Sequence, residues 1–352
     1  MGLQGICQTK SEASIKESSE SAELLMYHTR MGHIGFGKLR EMSKQGIIPS
    51  YLPHVPTPAC LACMFGKASR SPSRHKPRRE WSRKEVTCLG EVVSVAQMVS
   101  PNPGLVAQMS GPELVAQMSG RPTKDRYKYA TVYVDNYSGY SYIHLQKTHS
   151  VTETVESKHT FETFCKQHGV KVRGYHADNG IFKAKDWIND CRAKQQSLIF
   201  TGVNAHHRNG RAERRIGLLQ DLSWSMLIYA DRRWRGGAVI YLWPYAMRMS
   251  NESVNNCPKM QDKFKRAPID IMFNTQVQMN IKHWHPFACP AYVLDIKLQD
   301  EKRIYNKWKS RSRVGMYLGH SPLPLENSPW LATRMLLKRC KVVVWKTSVF
   351  LE

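Results

Sequence analysis

The sequence predicts an α/β protein with a mixed-sheet core, preceded by a small helical module and followed by a small β module. Three observations predict it. Between residues 91 and 230 the apolar pattern reads three strands, helix, strand, helix, short strand, helix, the order of a layered α/β domain. Ahead of that run, two histidines and two cysteines fall within one short amphipathic stretch. Beyond about residue 285 the pattern shortens to brief β-rich runs separated by Gly, Pro and Lys.

Each element has its own reason. Residues 1–22 are rich in Ser, Glu and Lys and poor in apolar side chains, so a disordered lead is expected. Residues 23–66 carry a compact pattern, with a helix expected around Phe36–Gln45 that sets Leu39 and Met42 on one side. Residues 67–88 form a basic linker in which Lys67, Arg70, Arg78 and Arg79 are interleaved with Ser and Pro. Proline and like-charge repulsion predict an extended chain there.

The core is expected over 89–250. Its first strand is Glu91–Gln97. The word Leu105–Gly111 then recurs as Leu114–Gly120, and Val95–Met98 shares its Val-Ala-Gln-Met. Stacked repeats need more copies, so a local duplication is the expectation. Strands Tyr129–Asp135 and Tyr140–Gln146 follow, joined by an Asn-Tyr-Ser-Gly turn. A helix over Thr152–His168, a strand over Val170–His176, a helix over Ala184–Lys194 and a short strand over Leu198–Thr201 lead to a long helix, Ala212–Ala230. A connector, 251–285, precedes the β module of 286–352, with strands at Ala291–Leu294, Arg313–Leu318 and Val342–Val349.

Composition narrows the function. Lys and Arg number 52 against 28 Asp and Glu, a net charge of +24. That excess seeks a polyanion, and its spread among aromatic residues favours nucleic acid over an anionic membrane surface. The 41% hydrophobic content excludes wholesale disorder. No apolar run reaches about 18 residues, so no bilayer span is expected. The N-terminus lacks the apolar stretch of a signal peptide. With nine cysteines and no such signal, a reducing intracellular setting is expected, where paired cysteines suggest metal before disulfide.

Two constellations carry chemistry. His28 and His33 lie five apart and precede Cys60-Leu61-Ala62-Cys63. Two nitrogen and two sulfur donors suit tetrahedral zinc, closed on all four sides and therefore structural. Two acidic residues form the second. Asp178 follows a strand in the turn Asp178-Asn179-Gly180, and Glu213 opens the long helix, with 34 residues between them. Alone, each is an ordinary turn aspartate or helix-entry glutamate. Together they suit carboxylate ligation of hard divalent ions.

The words His28-Thr29-Arg30-Met31-Gly32-His33 and Cys60 to Lys67 resemble the zinc finger that begins copia-type retrotransposon integrases. Asp178 and Glu213 resemble the second and third acidic positions of the retroviral-type integrase core, where the spacing is commonly one residue longer. The resemblance covers roughly residues 24–320 and implies an RNase-H-like core. It also implies two-metal polynucleotidyl transfer with Mg2+ or Mn2+, a DNA substrate and a homo-oligomer. Other products of the same polyprotein are implied as partners, in a cytoplasmic particle or the nucleus. The closing run Arg339–Trp345 does not read as a finished domain, which fits a degenerate genomic copy or a deliberately inactivated domesticated protein.

One departure stands out. The family's first aspartate belongs on the first strand at Ala96, and alanine has no ligand atom. Glu91 is an odd number of residues away and is expected on the opposite face. Asp135, at the far end of the partner strand, is expected roughly 15–20 Å off. A crippled catalytic site is therefore expected, in an impaired enzyme or an inactive DNA-binding remnant. The expected phosphate ligands are the four linker cations, Arg208, Arg211, Arg214 and Arg215 around Glu213, and Lys309 and Arg311 near the C-terminus. Trp308 beside them anchors the β module or stacks on bases, and His206 and His207 line a DNA end or are plain loop residues.

Overall fold

Alternating apolar residues build a five-stranded mixed sheet in the computed structural model, which describes residues 19–68, 86–105, 126–200, 210–234, 240–274, 279, 281–294 and 312–320. β1 (Val93–Gly104), β2 (Tyr127–Asp135) and β3 (Ser141–Gln146) form an antiparallel meander. β4 (Gly174–Ala177) and β5 (Ser197–Phe200) run parallel to β1, giving the order β3-β2-β1-β4-β5. Helices cover both faces, so the core is the RNase-H-like mixed sheet that the sequence predicts.

Period-two alternation separates two cores. On β2, Val132 and Val134 face one core while Tyr133 faces the other. The second core lies under α4 (Val151–Gln167) and α5 (Lys185–Ala193), where Phe161, Trp187 and Cys191 pack on Val93, Val95 and Tyr175. α4 starts at Ser150, whose hydroxyl caps Glu153 N at 3.1 Å, while the Glu153 carboxylate turns back to Lys147 N (2.7 Å) and Thr148 N (2.8 Å). Fully buried Lys158 closes this layer with an ion pair to Asp190 and another to Glu162 at 3.0 Å. Burial pushes the Asp190 carboxyl up, but hydrogen bonds from Lys158 and His159 outweigh it and hold it at about 2.

The first core lies under α6 (Gly210–Arg233) and α7 (Trp243–Asn256) and continues without a break into the N-terminal module. That module comprises α1 (Ser19–Arg30), α2 (Phe36–Lys44) and α3 (Leu61–Gly66). Two glycines seat it on α6. A Cβ at Gly32 would lie 2.2 Å from Met226 Cε, and one at Gly66 would lie 2.8 Å from the Ser225 backbone nitrogen. A short helix α8 (Pro268–Phe273) and an antiparallel pair, β6 (Pro290–Leu294) with β7 (Ser312–Met316), follow.

Four expectations need correction. Residues 19–22 are not part of a disordered lead, because α1 begins at Ser19 and buries Ser21 and Leu24. The core does not stop at residue 250, because α7 runs to Asn256, and Asn251 and Asn255 bind Ser141 of β3. β1 runs on to Gly104, through Pro101 and Pro103. A bulge between Val99 and Gly104 relieves the pairing there, and β4 reaches β1 only over Val93–Val95, so the prolines fall where β1 is an edge. β4 is shorter than expected because residues 171–173 are not in strand conformation, although Val170 and Val172 are still buried. Residues 1–18, most of the basic linker and of the repeat, and the expected strand at 342–349 lie outside the described residues.

Candidate metal centre and acidic site

Four ligand atoms converge where α1, the turn after it and α3 meet. His28 sits in the last turn of α1. Gly32 and His33 both take positive φ, +63° and +60°, and fold the chain back so that His33 N reaches His28 O at 2.8 Å. Cys60 is the cap residue of α3 and Cys63 lies in its first turn, so both sulfurs face the histidines. His28 Nε2 lies 3.2 Å from Cys63 Sγ and 3.2 Å from His33 Nδ1, which is 3.5 Å from each sulfur. Bonds of about 2.0 Å to nitrogen and 2.3 Å to sulfur give a tetrahedron with edges of roughly 3.3–3.8 Å. The four donors fit such an ion.

The surroundings favour ligation. His28 Nδ1 lies 2.8 Å from Ile34 O, which fixes the ring and leaves Nε2 for the ion. His28 stacks on Phe36 at 4.4 Å, and His33 meets the edge of Tyr229 from α6 at 5.2 Å. Burial lowers the pKa of His33, keeping the imidazole neutral. A hydrogen bond from Cys60, helped by His28 and His33, pulls the Cys63 thiol down against burial, toward the thiolate. Lys67 Nζ donates to His33 O at 2.6 Å. Among the described residues, this is where three or more His, Cys, Asp or Glu ligands gather.

The acidic positions form a second, sparser site. β1 and β4 pair Val95 with Ala177, and Ala96 and Asp178 are the next residues along each chain segment. Asp178 is half-buried, and its Oδ1 accepts from Gly180 N at 3.1 Å, an Asx turn built by the Asp-Asn-Gly sequence. Exposed Glu213 lies in the first turn of α6, next to buried Ala212. Ala96 and Ala212 share one core, so α6 covers the sheet face that carries position 96.

Asp135 and Glu91, the two acidic residues considered as substitutes at position 96, are both engaged elsewhere. Asp135 pairs with Val93 while Ala96 pairs with Val132. Three residues of strand separate those pairs, about 10 Å, so Asp135 is nearer than expected. Its carboxylate is nevertheless committed, accepting from Gly90 N at 3.0 Å and from Ser138 N and Oγ at 2.7 Å each. Glu91 Oε2 accepts from Thr87 N at 2.8 Å and Thr87 Oγ1 at 3.1 Å.

The expected phosphate ligands divide. Arg214 is exposed on the first turn of α6, its Nε on Gly210 O. Arg211 is exposed and donates to Asn136 O. Arg215 departs from the expectation. It donates to Gly139 O at 2.9 Å and Ser141 Oγ at 3.0 Å, bracing the β2–β3 turn, and burial lowers its pKa to about 10. Arg70, Arg78, Arg79, Arg208, Lys309 and Arg311 lie outside the described residues, as do His206, His207 and Trp308. The sequence reading passed over a further basic segment, Lys259 to Arg266. Its signal was visible as Lys263-Phe264-Lys265-Arg266, cations around an aromatic.

Residues 5–68 match the family described as the GAG-pre-integrase domain. No curated protein matches the chain. Among solved structures, the chain is similar to the HTLV-2 integrase catalytic core domain in complex with magnesium, in its trimeric form. That similarity has 13% identity and a TM-score of 0.34 over 52% of this chain and 96% of that one. It is also similar to the simian T-cell lymphotropic virus intasome in complex with PP2A regulatory subunit B56 gamma, at 13% identity and a TM-score of 0.41 over 78% and 86%. No helix among the described residues is long and apolar enough to cross a membrane.

Proposed function

We propose that this chain is an integrase-type polynucleotidyl transferase region of a copia-type retrotransposon, one that binds DNA and has a catalytic centre one ligand short. The observation that carries the reading is the β1–β4 register. It pairs Val95 with Ala177, the residues just before Ala96 and Asp178, and Ala96 shares a core with Ala212, the α6 residue next to Glu213. In this reading strand, turn and helix supply three positions of one acidic site, and two of them hold carboxylates. Such a carboxylate set holds Mg2+ or Mn2+, which supports in-line phosphoryl transfer. With alanine at position 96 the site retains Asp178 and Glu213 but not the full set.

His28, His33, Cys60 and Cys63 take a structural zinc in this reading, and exposed Arg211 and Arg214 contact phosphate beside Glu213. The linker cations, Arg208, Lys309 and Arg311 extend the same polyanion surface. The partners are DNA and further copies of the chain, with other products of the retroelement polyprotein nearby.

The test is strand transfer with a labelled double-stranded oligonucleotide in Mg2+ or Mn2+. The chain as it stands is expected to bind the duplex in a salt-sensitive way and to join strands feebly. Ala96→Asp is expected to raise product at least about a hundredfold, since a completed metal site is worth several kcal/mol. Adding Glu213→Gln should abolish the gain. No gain in Ala96→Asp would sink the reading of position 96. Activity in the unaltered chain, lost in Glu213→Gln, would mean that another group stands in for the missing carboxylate. Salt-sensitive binding with no activity in any variant would favour the second reading, an inactive DNA-binding remnant, which the methyl group at position 96 already favours.

A further inference from the structure

The Lys259–Arg266 segment is a rigid loop with an aromatic at its tip. Lys259 N donates to Arg266 O at 2.9 Å and closes it. Asp262 staples it from inside, accepting from Phe264 N and Arg266 N at 3.1 Å each and pairing with Arg266 NH2 at 3.0 Å. Gln45 of the N-terminal module holds its outer edge, donating to Lys265 O at 3.0 Å. The result projects Phe264, which is 69% exposed. Lys263 Nζ lies 5.6 Å from the ring centroid and Arg266 Cζ lies 5.7 Å from it.

This loop is continuous with the acidic site. Lys259 Nζ donates to Tyr137 O at 2.8 Å, and Arg211 donates to the adjacent Asn136 O. Arg211 precedes Glu213 by two residues. Tyr137, 39% exposed, therefore belongs to the same stretch of surface, its backbone carbonyl held by Lys259. An open apolar ring costs solvation, and nothing in a phosphate contact requires one. Exposed rings set among cations suit a strand whose bases are free to stack and whose phosphates meet the cations. A paired duplex hides its base faces from such rings.

We propose that Phe264 and Tyr137 form a stacking platform for an unpaired stretch of DNA, with Lys263 and Arg211 on its phosphates. The proposal rests on the reading that the chain handles DNA, and it adds an unpaired strand as the form of DNA this surface takes.

The test compares binding of a labelled oligothymidylate of about 12 nucleotides with that of a blunt duplex. Phe264→Ala is expected to weaken oligothymidylate binding about tenfold and to leave duplex binding within about twofold. Phe264→Trp should restore the affinity, and its added fluorescence should be quenched by the oligonucleotide. Lys263→Gln should lower the salt slope on the single strand by about 0.7. The ring is exposed, so thermal melting of Phe264→Ala should match the parent and exclude misfolding. An equal loss on both DNAs, or a loss on neither, overturns the platform while duplex binding keeps the DNA reading. Failure of the unaltered chain to bind either DNA overturns both. Phe264-dependent binding of the single strand alone would keep the platform and defeat the integration reading.

Discussion

One helix serves two unequal sites. The first turn of α6 carries Glu213, which belongs to the proposed acidic site with alanine at position 96. Its later turns, at Ser225, Met226 and Tyr229, support a His/Cys cluster whose four donors all converge. The difference lies in what each residue does for the fold. His28, His33, Cys60 and Cys63 are buried or half-buried where α1, α3 and α6 meet, so an ion held there would tie these elements together. Position 96 is 5% exposed within an apolar core, where a methyl group packs well and a carboxylate would need a cation. In the proposed reading a catalytic ligand can therefore be lost without loss of the sheet that displayed it, whereas a structural ligand cannot.

The strongest way to break that contrast is to remove the metal. Chelation, or Cys60→Ser with His33→Gln, is expected to unfold residues 24–66 and to loosen the middle of α6. Binding free energies of structural zinc run on the order of 10 kcal/mol in small fingers, far more than single-contact losses. Circular dichroism on titration with a chelator should show the helical loss, and hydrogen exchange should rise at Met226 and Ala230. An unchanged melting curve and unchanged exchange would mean that packing against α6 holds the module without an ion.

A smaller effect sharpens the other side. Without divalent ions, Ala96→Asp should destabilise the chain by about 1–3 kcal/mol, because it buries a carboxyl group in an apolar core. With Mn2+ at about a hundred times its dissociation constant, about 2.7 kcal/mol should return. Thermal melting with and without the ion measures both. Destabilisation that Mn2+ does not relieve would show that Asp178 and Glu213 do not converge on position 96.

How much of this was legible depends on the range of the signal. The His/Cys group was readable because short words with fixed spacing place it. The succession of strands and helices along the chain followed from local alternation. What failed was non-local. Pro101 and Pro103 end a strand by local rules, yet a bulge and a free edge carry β1 past them. The separation of Asp135 from position 96 depended on register, which the sequence does not display. Arg215 and its neighbour Arg214 are alike in the sequence, and only the packing of α6 on the β2–β3 turn distinguishes them. Lys259 gained its place through a carbonyl 122 residues away.

That pair of arginines gives the smallest and most selective test. Arg214 is exposed and bonds only within its own helix turn among the contacts described, so Arg214→Gln should change stability by less than about 0.5 kcal/mol. If it contacts phosphate, the dependence of duplex affinity on salt should fall by about 0.9 in slope. Arg215→Gln should do the reverse. It removes two charge-assisted hydrogen bonds to the β2–β3 turn, which should cost about 1–3 kcal/mol in thermal unfolding and leave the salt slope unaltered. Equal slope changes in the two variants would mean that Arg215 leaves the turn to meet DNA. The acidic site would then rearrange on binding, and the register argument for position 96 would describe only the free protein.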